Sequence, residues 1–241
     1  MSEIRCAALI PVYNHGKTLE TVVNNVQSHG LSAVILVDDG SDAQTKEFLN
    51  ALKGRDGIIL HTRAGNGGKG AAIISGFEIA RQNGFSHVLQ IDADAQHDTE
   101  AVPFFLKAMA KHPDGLICGM PEYDESVPKS RLHARKITNF WVMLETLSWD
   151  IPDAMCGFRI YPVEKCRDLA IRARRMGFDI EILVKLYRSG VKTYFYPVKV
   201  YYPKEGVSHF RMIRDNIEIS FLHAYLFIGM LKWRFLRALG R

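Results

Sequence analysis

Two aspartates spaced two residues apart, Asp92 and Asp94, are the side chains of this sequence best placed to do chemistry. They follow an apolar run over 87–91 that is typical of a buried strand, and carboxylates at a strand end can point to one side. Mg²⁺ and Mn²⁺ prefer such oxygen ligands and keep open positions for phosphate oxygens. Gln96 and His97 could add an oxygen and a nitrogen. The alternative is a turn, since aspartates often cap turns, but a second acidic cluster favours the metal site.

The second acidic cluster, Asp-Asp-Gly-Ser-Asp, follows the apolar run 33–37. An aspartate there, such as Asp39, could accept hydrogen bonds from a nucleobase or a ribose. The same residues suit a strand-to-helix turn, with Gly40 at positive φ and Ser41 or Asp42 as the helix N-cap. Both interpretations can hold, because one aspartate can turn the chain while another faces a ligand.

A glycine-rich loop, Gly-Asn-Gly-Gly-Lys-Gly at 65–70, matches the G-x-G-x-x-G fingerprint of dinucleotide-binding proteins. Two features weaken that interpretation: the loop follows the third strand rather than the first, and the acid downstream of it, Asp92, belongs to a pair. A loop whose backbone approaches phosphate, with Gly67 and Lys69 as contacts, is still a fair inference. The alternative, a flexible turn, explains the glycines but not the lysine.

These polar residues need a sheet that gathers strand ends at one edge. The first 120 residues alternate strand and helix patterns, which predicts a parallel sheet with helices on both faces. Ligands bind such sheets outside the carboxyl ends of the strands. After residue 120 the regularity breaks, beginning with a polar loop over 121–129. The predicted strands are 5–12, 33–37, 57–61, 87–91, 116–120 and 193–201, with a further strand within 154–161. The predicted helices are 17–27, 43–52, 70–82, 99–111, 131–147, 179–188 and 211–237.

Composition excludes several classes of protein. With 47% hydrophobic and 24% charged residues among 241, the chain is neither disordered nor a small disulfide scaffold. Its four cysteines form no C-x-x-C pair, so a structural zinc site is not expected. The first residues lack the basic and apolar stretches of a signal peptide, and we expect a reducing, cytoplasmic location.

Basic charge concentrates in the C-terminal segment. Residues 203–241 hold seven Lys or Arg against three acids, whereas the rest of the chain carries 24 against 23. This distribution argues for a local partner rather than for nucleic acid. The apolar stretch 219–231 is too short to span a bilayer, so we expect a helix that lies in the membrane interface. The alternative is a core helix or a dimer helix.

Six motifs in register between residues 8 and 210 resemble those of the family-2 glycosyltransferases, which have the GT-A fold. Asp-Ala-Asp-Ala-Gln-His is similar to the metal motif of the branch of dolichyl- and polyprenyl-phosphate mannose synthases. His15 stands where the family usually has Glu, and Cys156 replaces a common Ser. The motifs are Ile-Pro-Val-Tyr-Asn at 10–14, the aspartate turn at 37–42, the glycine loop at 66–72, the metal motif at 92–97, Asp-Ala-Met-Cys-Gly-Phe-Arg at 153–159 and Gly-Phe-Asp-Ile-Glu-Ile-Leu at 177–183.

The resemblance implies an α/β GT-A domain over 1–207, made of a nucleotide-sugar half (1–120) and an acceptor half (121–207). A basic amphipathic helix over 208–241 would follow it. The implied reaction is an inverting transfer from a UDP- or GDP-linked sugar, with Mg²⁺ or Mn²⁺ as cofactor. The implied acceptor is a lipid or polyprenyl phosphate, and the enzyme would bind peripherally to the cytoplasmic face of the membrane.

The acceptor decides whether a base is needed. A phosphate arrives ionised, whereas a hydroxyl needs a base, for which Asp153 is the candidate and a turn the alternative. Arginines could clamp a phosphate because guanidinium matches its geometry, although Arg131 and Arg135 also suit a solvated helix face. The expected residues are Asp92, Asp94 and Gln96 for the metal; Pro11, Tyr13, His15, Asp39, Gly67, Lys69 and Asp92 for the donor; Asp94, Asp153 and Arg159 for catalysis; and Arg131 and Arg135 for the acceptor.

Three other functions stay open. A nucleotidyltransferase on a related sheet would carry a glycine-rich signature after the first strand, where this chain has Pro-Val-Tyr-Asn at 11–14. A dinucleotide-dependent oxidoreductase rests on the glycine fingerprint alone. A non-catalytic nucleotide-sugar-binding protein is disfavoured by the complete metal motif.

Overall fold

The structure is a computed structural model that describes residues 4–124, 127, 129–201 and 211–238. It contains one mixed sheet between two layers of helices. The strands are β1 Cys6–Val12, β2 Val34–Asp38, β3 Ile58–Thr62, β4 His87–Gln90, β5 Leu116–Tyr123, β6 Arg159–Pro162 and β7 Thr193–Val200. The helices are α1 Gly16–Ser28, α2 Ala43–Leu52, α3 Lys69–Gln82, α4 Val102–Lys111, α5 Lys129–Thr146, α6 Val163–Cys166, α7 Phe178–Arg188 and α8 Met212–Ala238.

The strand order is β3-β2-β1-β4-β6-β5-β7. β1 to β4 pair in parallel, as the sequence predicts, and β5 pairs in parallel with β7. β6 runs antiparallel between β4 and β5, an insertion that the sequence pattern did not indicate. Because of this direction, the amino end of β6 lies at the same edge as the carboxyl ends of the other six strands. The segment 153–158, which leads into β6, is thereby brought to that edge.

Both faces of the sheet are buried, as the unbroken apolar strands predict. All five residues of β2 are buried. One core layer includes Leu19 of α1 and Phe105 of α4, and the other includes Ala72 of α3 and Leu183 of α7. The amphipathic spacing of these helices therefore decides which side faces the sheet.

One predicted boundary in the second half is wrong. The polar loop expected over 121–129 is strand as far as Tyr123, because β7 continues beside it and pairs Tyr123 with Val200. A distant partner there outweighs the local pattern. The strand expected within 154–161 is β6, which begins at Arg159, because the residues before it form a turn around Asp153.

α8 packs its inner face on α5 and α7. Leu222 and Leu226 belong to the main core cluster. Beside them, His223 Nδ1 lies 2.7 Å from Glu145 Oε1, and the Arg188 guanidinium donates to the carbonyl oxygens of Glu145 and Leu226. The segment expected as an appendage is thus a core helix on one face. No helix in the described ranges is long and apolar enough to cross a bilayer.

Candidate active site

The predicted metal motif lies in the loop directly after β4, at the carboxyl edge of the sheet. Three hydrogen bonds hold this loop. The Thr18 hydroxyl donates to the Ala93 carbonyl at 2.6 Å, the Gln96 N–H donates to Asp94 Oδ1 at 3.1 Å, and the Tyr201 N–H donates to the Gln96 carbonyl at 2.9 Å. α1 and the end of β7 therefore fix the position of the motif.

Asp92 is balanced by a lysine from the glycine loop. Lys69 Nζ lies 2.8 Å from Asp92 Oδ1 and 3.1 Å from Asp179 Oδ2, and the Gln90 amide donates to Asp179 Oδ1 at 2.9 Å. Burial acts to lower the pKa of Lys69, but the charges of Asp179 and Asp92 outweigh it and hold that pKa above its ordinary value. Burial acts to raise the pKa of Asp92, yet Lys69 and His97 hold it below its ordinary value.

Asp94 has a different environment. Burial, followed by the neighbouring charge of Asp92, raises the pKa of Asp94. None of the ion pairs within the described ranges includes Asp94. His97 stands next to the pair with its pKa lowered chiefly by burial, and its Nε2 lies 3.8 Å from the Cys156 sulfur. The loop therefore offers one carboxylate already neutralised and one that lacks a cation.

This donor set fits a divalent cation shared with a substrate. Within the described residues, no three His, Cys, Asp or Glu side chains are arranged to hold a metal unaided. Mg²⁺ is usually held by one or two carboxylates together with substrate phosphates. A cation beside Asp94 would offset the burial and the repulsion from Asp92 that raise its pKa. The motif suits a metal that binds together with a diphosphate.

The turn after β2 combines two of the expected roles. Asp38 Oδ1 accepts the Ser41 N–H at 2.8 Å, and Gly40 has a φ of +77°. Asp42 caps α2 by accepting the Thr45 N–H at 2.8 Å. The strand-to-helix turn is confirmed, with Asp42 rather than Ser41 as the N-cap. Asp39 is left for another partner.

That partner is the glycine loop. Asp39 Oδ1 accepts the Gly67 N–H at 3.0 Å, and Oδ2 accepts the Gly68 N–H at 2.7 Å. The Arg63 guanidinium also pairs with Asp39. Asp39 and Gly67 were both predicted to contact the donor. The structure brings them together, but there they bind each other.

The glycines of this loop serve close packing. A Cβ on Gly68, which has a φ of +95°, would lie 2.6 Å from the Arg174 carbonyl oxygen, and a Cβ on Gly70 would lie 2.6 Å from Phe178 Cβ. The Ala71 N–H donates to the Arg174 carbonyl at 3.0 Å. The expected phosphate cradle is not what this geometry shows, because protein oxygens already accept from these amides and cover the amino end of α3.

The end of β1 borders the aspartate turn. Asn14 takes a left-handed φ of 55°, and its N–H donates to Ser41 Oγ at 3.2 Å. His15 Nδ1 lies 2.9 Å from the Tyr13 carbonyl. With Pro11, these residues are half-buried at the sheet edge. The structure therefore places Pro11, Tyr13 and His15 where a ligand at this edge would pass.

A basic cavity of about 310 Å³ opens beside α5. Its lining is largely apolar and includes several cationic side chains. It is lined by Met120, Pro121, Tyr123, Lys129, Leu132, His133, Arg135, Lys136, Asn139, Pro152 and Asp153. Such a combination suits a phosphate that is attached to an apolar group.

Asp153 holds an arginine of that cavity. Its carboxylate pairs with both Arg135 Nε and a terminal Arg135 nitrogen, and its Oδ1 accepts the N–H groups of Met155 at 3.0 Å and Cys156 at 2.7 Å. Burial acts to lower the pKa of Arg135, but Asp153 outweighs it and raises that pKa. Asp153 thus has the turn geometry that the sequence left as its alternative, and it orients a guanidinium.

The other two arginines lie apart from this pair. Arg159 is fully buried, and its guanidinium donates to the Asp179 carbonyl at 2.6 Å. In this conformation it cannot touch an acceptor, contrary to expectation, because the sheet and α7 enclose it. Arg131 is exposed one turn before Arg135 on α5 and is not among the residues that line the cavity.

Sequence reasoning missed the residues that support the metal motif. Asp179 and Gln90 complete the network around Lys69. Gly157 lies against it, since a Cβ there would come within 2.8 Å of Lys69 Nζ. The sequence motifs at 153–159 and 177–183 contain Gly157 and Asp179, so these two residues could have been found from the sequence. Arg63 lies in none of the six motifs.

The sequence matches the family model described as Glycosyl transferase family 2 over residues 7–170. It is 24% identical to the UDP-N-acetylglucosamine–dolichyl-phosphate N-acetylglucosaminyltransferase of Methanococcus voltae, over 88% of this chain and 90% of that protein. It is 28% identical to the polyprenol monophosphomannose synthase of Mycolicibacterium smegmatis, over 88% of this chain and 83% of that protein. These matches overturn the oxidoreductase and nucleotidyltransferase alternatives.

The fold resembles that of the glucosyl-3-phosphoglycerate synthase of Mycobacterium tuberculosis, solved with Mn²⁺ and UDP-glucose. The TM-score is 0.70 at 15% identity, covering 95% of this chain and 79% of that one. The expected GT-A architecture is thereby confirmed, with α8 as its C-terminal helix.

Proposed function

Because the chain belongs to glycosyl transferase family 2, we propose that this glycosyltransferase moves a sugar from a nucleotide-diphosphosugar onto the phosphate of a polyprenyl or related lipid. The observation that supports this acceptor is the cavity beside α5, which combines an apolar lining with several cationic side chains. Cys156 joins the two sites, since its N–H donates to Asp153 and its sulfur approaches His97. The named relatives from Methanococcus voltae and Mycolicibacterium smegmatis support this choice.

The donor half holds the leaving group. Asp94 and Asp92, with Gln96 beside them, would hold Mg²⁺ or Mn²⁺, which when bound supplies Lewis-acid stabilisation of the departing diphosphate. Lys69 keeps Asp92 ionised without joining the reaction. The nucleoside would lie against the half-buried residues at the end of β1, Pro11, Tyr13 and His15, and against Asp39. The Gly67 N–H holds Asp39 in place.

The acceptor half orients the nucleophile. A phosphate monoester is largely ionised at neutral pH, so no proton has to be removed. Its oxygen attacks the anomeric carbon opposite the leaving group. A new carbon–oxygen bond forms as the bond to the diphosphate breaks, the nucleoside diphosphate leaves and the configuration inverts. Arg135, held by Asp153, positions that phosphate, with Arg131 one turn away.

A substrate screen tests the proposal. Thermal unfolding is measured with UDP- and GDP-linked sugars, with and without Mn²⁺, and turnover is then measured with a short-chain polyprenyl phosphate and with 3-phosphoglycerate. We expect one donor class to stabilise the protein only with metal, and the polyprenyl phosphate to be glycosylated. Turnover of 3-phosphoglycerate alone would overturn the lipid acceptor and retain the donor assignment.

A further inference from the structure

α8 carries a second apolar stripe on the side away from the core. Phe221 is 73% exposed and Ile228 is 66% exposed. The members of the stripe are spaced by three or four residues along some 22 residues of helix, or about 33 Å. They are Ile213, Ile217, Phe221, Ala224, Ile228, Leu231 and Phe235. The inner face already satisfies the core, so this stripe has no fold-stabilising role.

The stripe continues onto α5. The Phe140 and Trp141 rings are 6.3 Å apart, and Trp141 lies 6.2 Å from the Phe227 ring. Phe227 is one turn from both Ala224 and Leu231. Two helices distant in sequence thus share one exposed surface, called here the α5–α8 face. Its α5 side comprises Ile137, Phe140, Trp141, Leu147 and Trp149, the last 86% exposed.

The charges around the α5–α8 face indicate which kind of partner covers it. Four exposed basic side chains lie just before α8 or along it, namely Arg211, Arg214, Lys232 and Arg234. The exposed acid in the described part of α8 is Glu218, which pairs with Arg214 at 2.9 Å, so an excess of positive charge borders the stripe. The first turns of α5 add the basic walls of the cavity. A second copy would bring charges of the same sign together, whereas anionic headgroups are complementary to them.

We propose that the α5–α8 face docks on an anionic bilayer through both helices, not through the C-terminal helix alone. This orientation rests on the proposed acceptor, because α5 carries both the docking residues and the cavity walls. A lipid phosphate at headgroup level then meets Arg135 without leaving the membrane. All three tryptophans of the chain, Trp141, Trp149 and Trp233, lie in α5, α8 or the loop after α5, which suits the amphipathic indole ring.

The test is flotation of the full chain with vesicles of phosphatidylcholine, alone or mixed with phosphatidylglycerol. We expect salt-sensitive binding to the mixed vesicles and quenching of tryptophan fluorescence by brominated lipid. Phe221→Ser/Ile228→Ser/Leu231→Ser should weaken binding about tenfold or more. Ile137→Ser/Phe140→Ser on α5 should weaken it also. The control Phe104→Ser, half exposed on the opposite layer, should float as the wild type does.

Several outcomes would overturn the proposal. They are absence of flotation at low salt, normal flotation of the α5 variant, or a dimer by light scattering that the α8 variant dissociates. If the α8 variant does not fold, the α5 variant tests the same face. Vesicle binding without transfer to lipid phosphate would contradict the proposed function and support the docking face. Transfer to a short-chain acceptor without vesicle binding would support the proposed function and contradict the docking face.

Discussion

The proposed donor edge and the proposed acceptor side of this protein differ in what surrounds their charged side chains. At the donor edge, Lys69, Asp92 and Asp179 neutralise one another, and Asp39 binds the glycine loop. On the acceptor side, α5 leaves cationic side chains around an open cavity and apolar ones in solvent. The first region is closed by its own ion pairs, whereas the second is an open cavity in which Arg135 pairs with Asp153.

Asp94 is the exception at the donor edge, and it gives the largest expected effect. Asp94→Asn should lower the transfer rate by about a thousandfold or more and abolish Mn²⁺-dependent donor binding, because it removes the carboxylate that lacks a cation. The melting temperature should not fall, since Asn removes a carboxylate charge that burial and Asp92 disfavour. Rates and donor titrations check this, with the exposed Asp168→Asn as control. Undiminished metal-dependent donor binding would contradict the metal assignment.

The acceptor side should show the next largest effect. Arg135→Met should raise the KM for the lipid phosphate by about a hundredfold, because the charge-assisted contact that Arg135 is proposed to make with the phosphate is lost. Donor affinity should stay constant, which steady-state kinetics and a donor titration separate. Lys107→Met, on the other side of the sheet, is the matched control. Equal losses in donor and acceptor binding would show that Arg135 does not belong to the acceptor side alone.

The ion pairs of Lys69 with Asp92 and Asp179 should contribute measurably to the free energy of unfolding. Lys69→Met leaves Asp92 and Asp179 without their counter-charge and should cost about 2–3 kcal/mol in urea unfolding. The raised pKa of Lys69 means that its contribution is present at neutral pH and lost only above the ordinary lysine pKa. The lowered pKa of Asp92 means that its contribution is lost in acid. The difference from the wild type should therefore be the same at about pH 6 and 9 and shrink below about pH 4. Exposed Lys46→Met should cost almost nothing.

The smallest expected effect is on the pH dependence of stability at the contact between α8 and α5, where His223 meets Glu145. Burial, opposed by His223, raises the pKa of Glu145, so the folded state holds that proton more tightly than the unfolded state. Stability from this group is therefore greatest in acid and falls as pH rises through the raised pKa. Glu145→Gln should flatten the dependence of the free energy of unfolding on pH above the ordinary glutamate pKa, which urea unfolding at a series of pH values measures. An unchanged pH profile would contradict a titrating Glu145.

The sequence predicts local features well and tertiary ones poorly. The spacing of strands and helices indicates the parallel half of the sheet, and Asp42 was a readable N-cap. The antiparallel β6, the extension of β5 to Tyr123 and the partner of Asp39 depend on pairings between distant residues. No local pattern records such pairings.

The site shows the same division. The Asp-Ala-Asp spacing located the polar loop after β4, and its metal-binding role stays a prediction. Arg159 is buried, contrary to its expected contact with the acceptor, because an antiparallel strand was not foreseen. α8 was predicted as an interface helix with a core helix as the alternative. Its inner face is core, and its outer apolar stripe follows from the three-dimensional position of α5.

Product analysis tests the central claim most directly. The full chain is incubated with Mn²⁺, the nucleotide sugar identified by thermal shift and a short-chain polyprenyl phosphate, and the product is examined by mass spectrometry and by proton and phosphorus NMR. The account predicts a sugar joined through its anomeric carbon to the lipid phosphate, with the anomeric configuration inverted relative to the donor. A sugar on a hydroxyl group, a retained configuration or free sugar alone would contradict it.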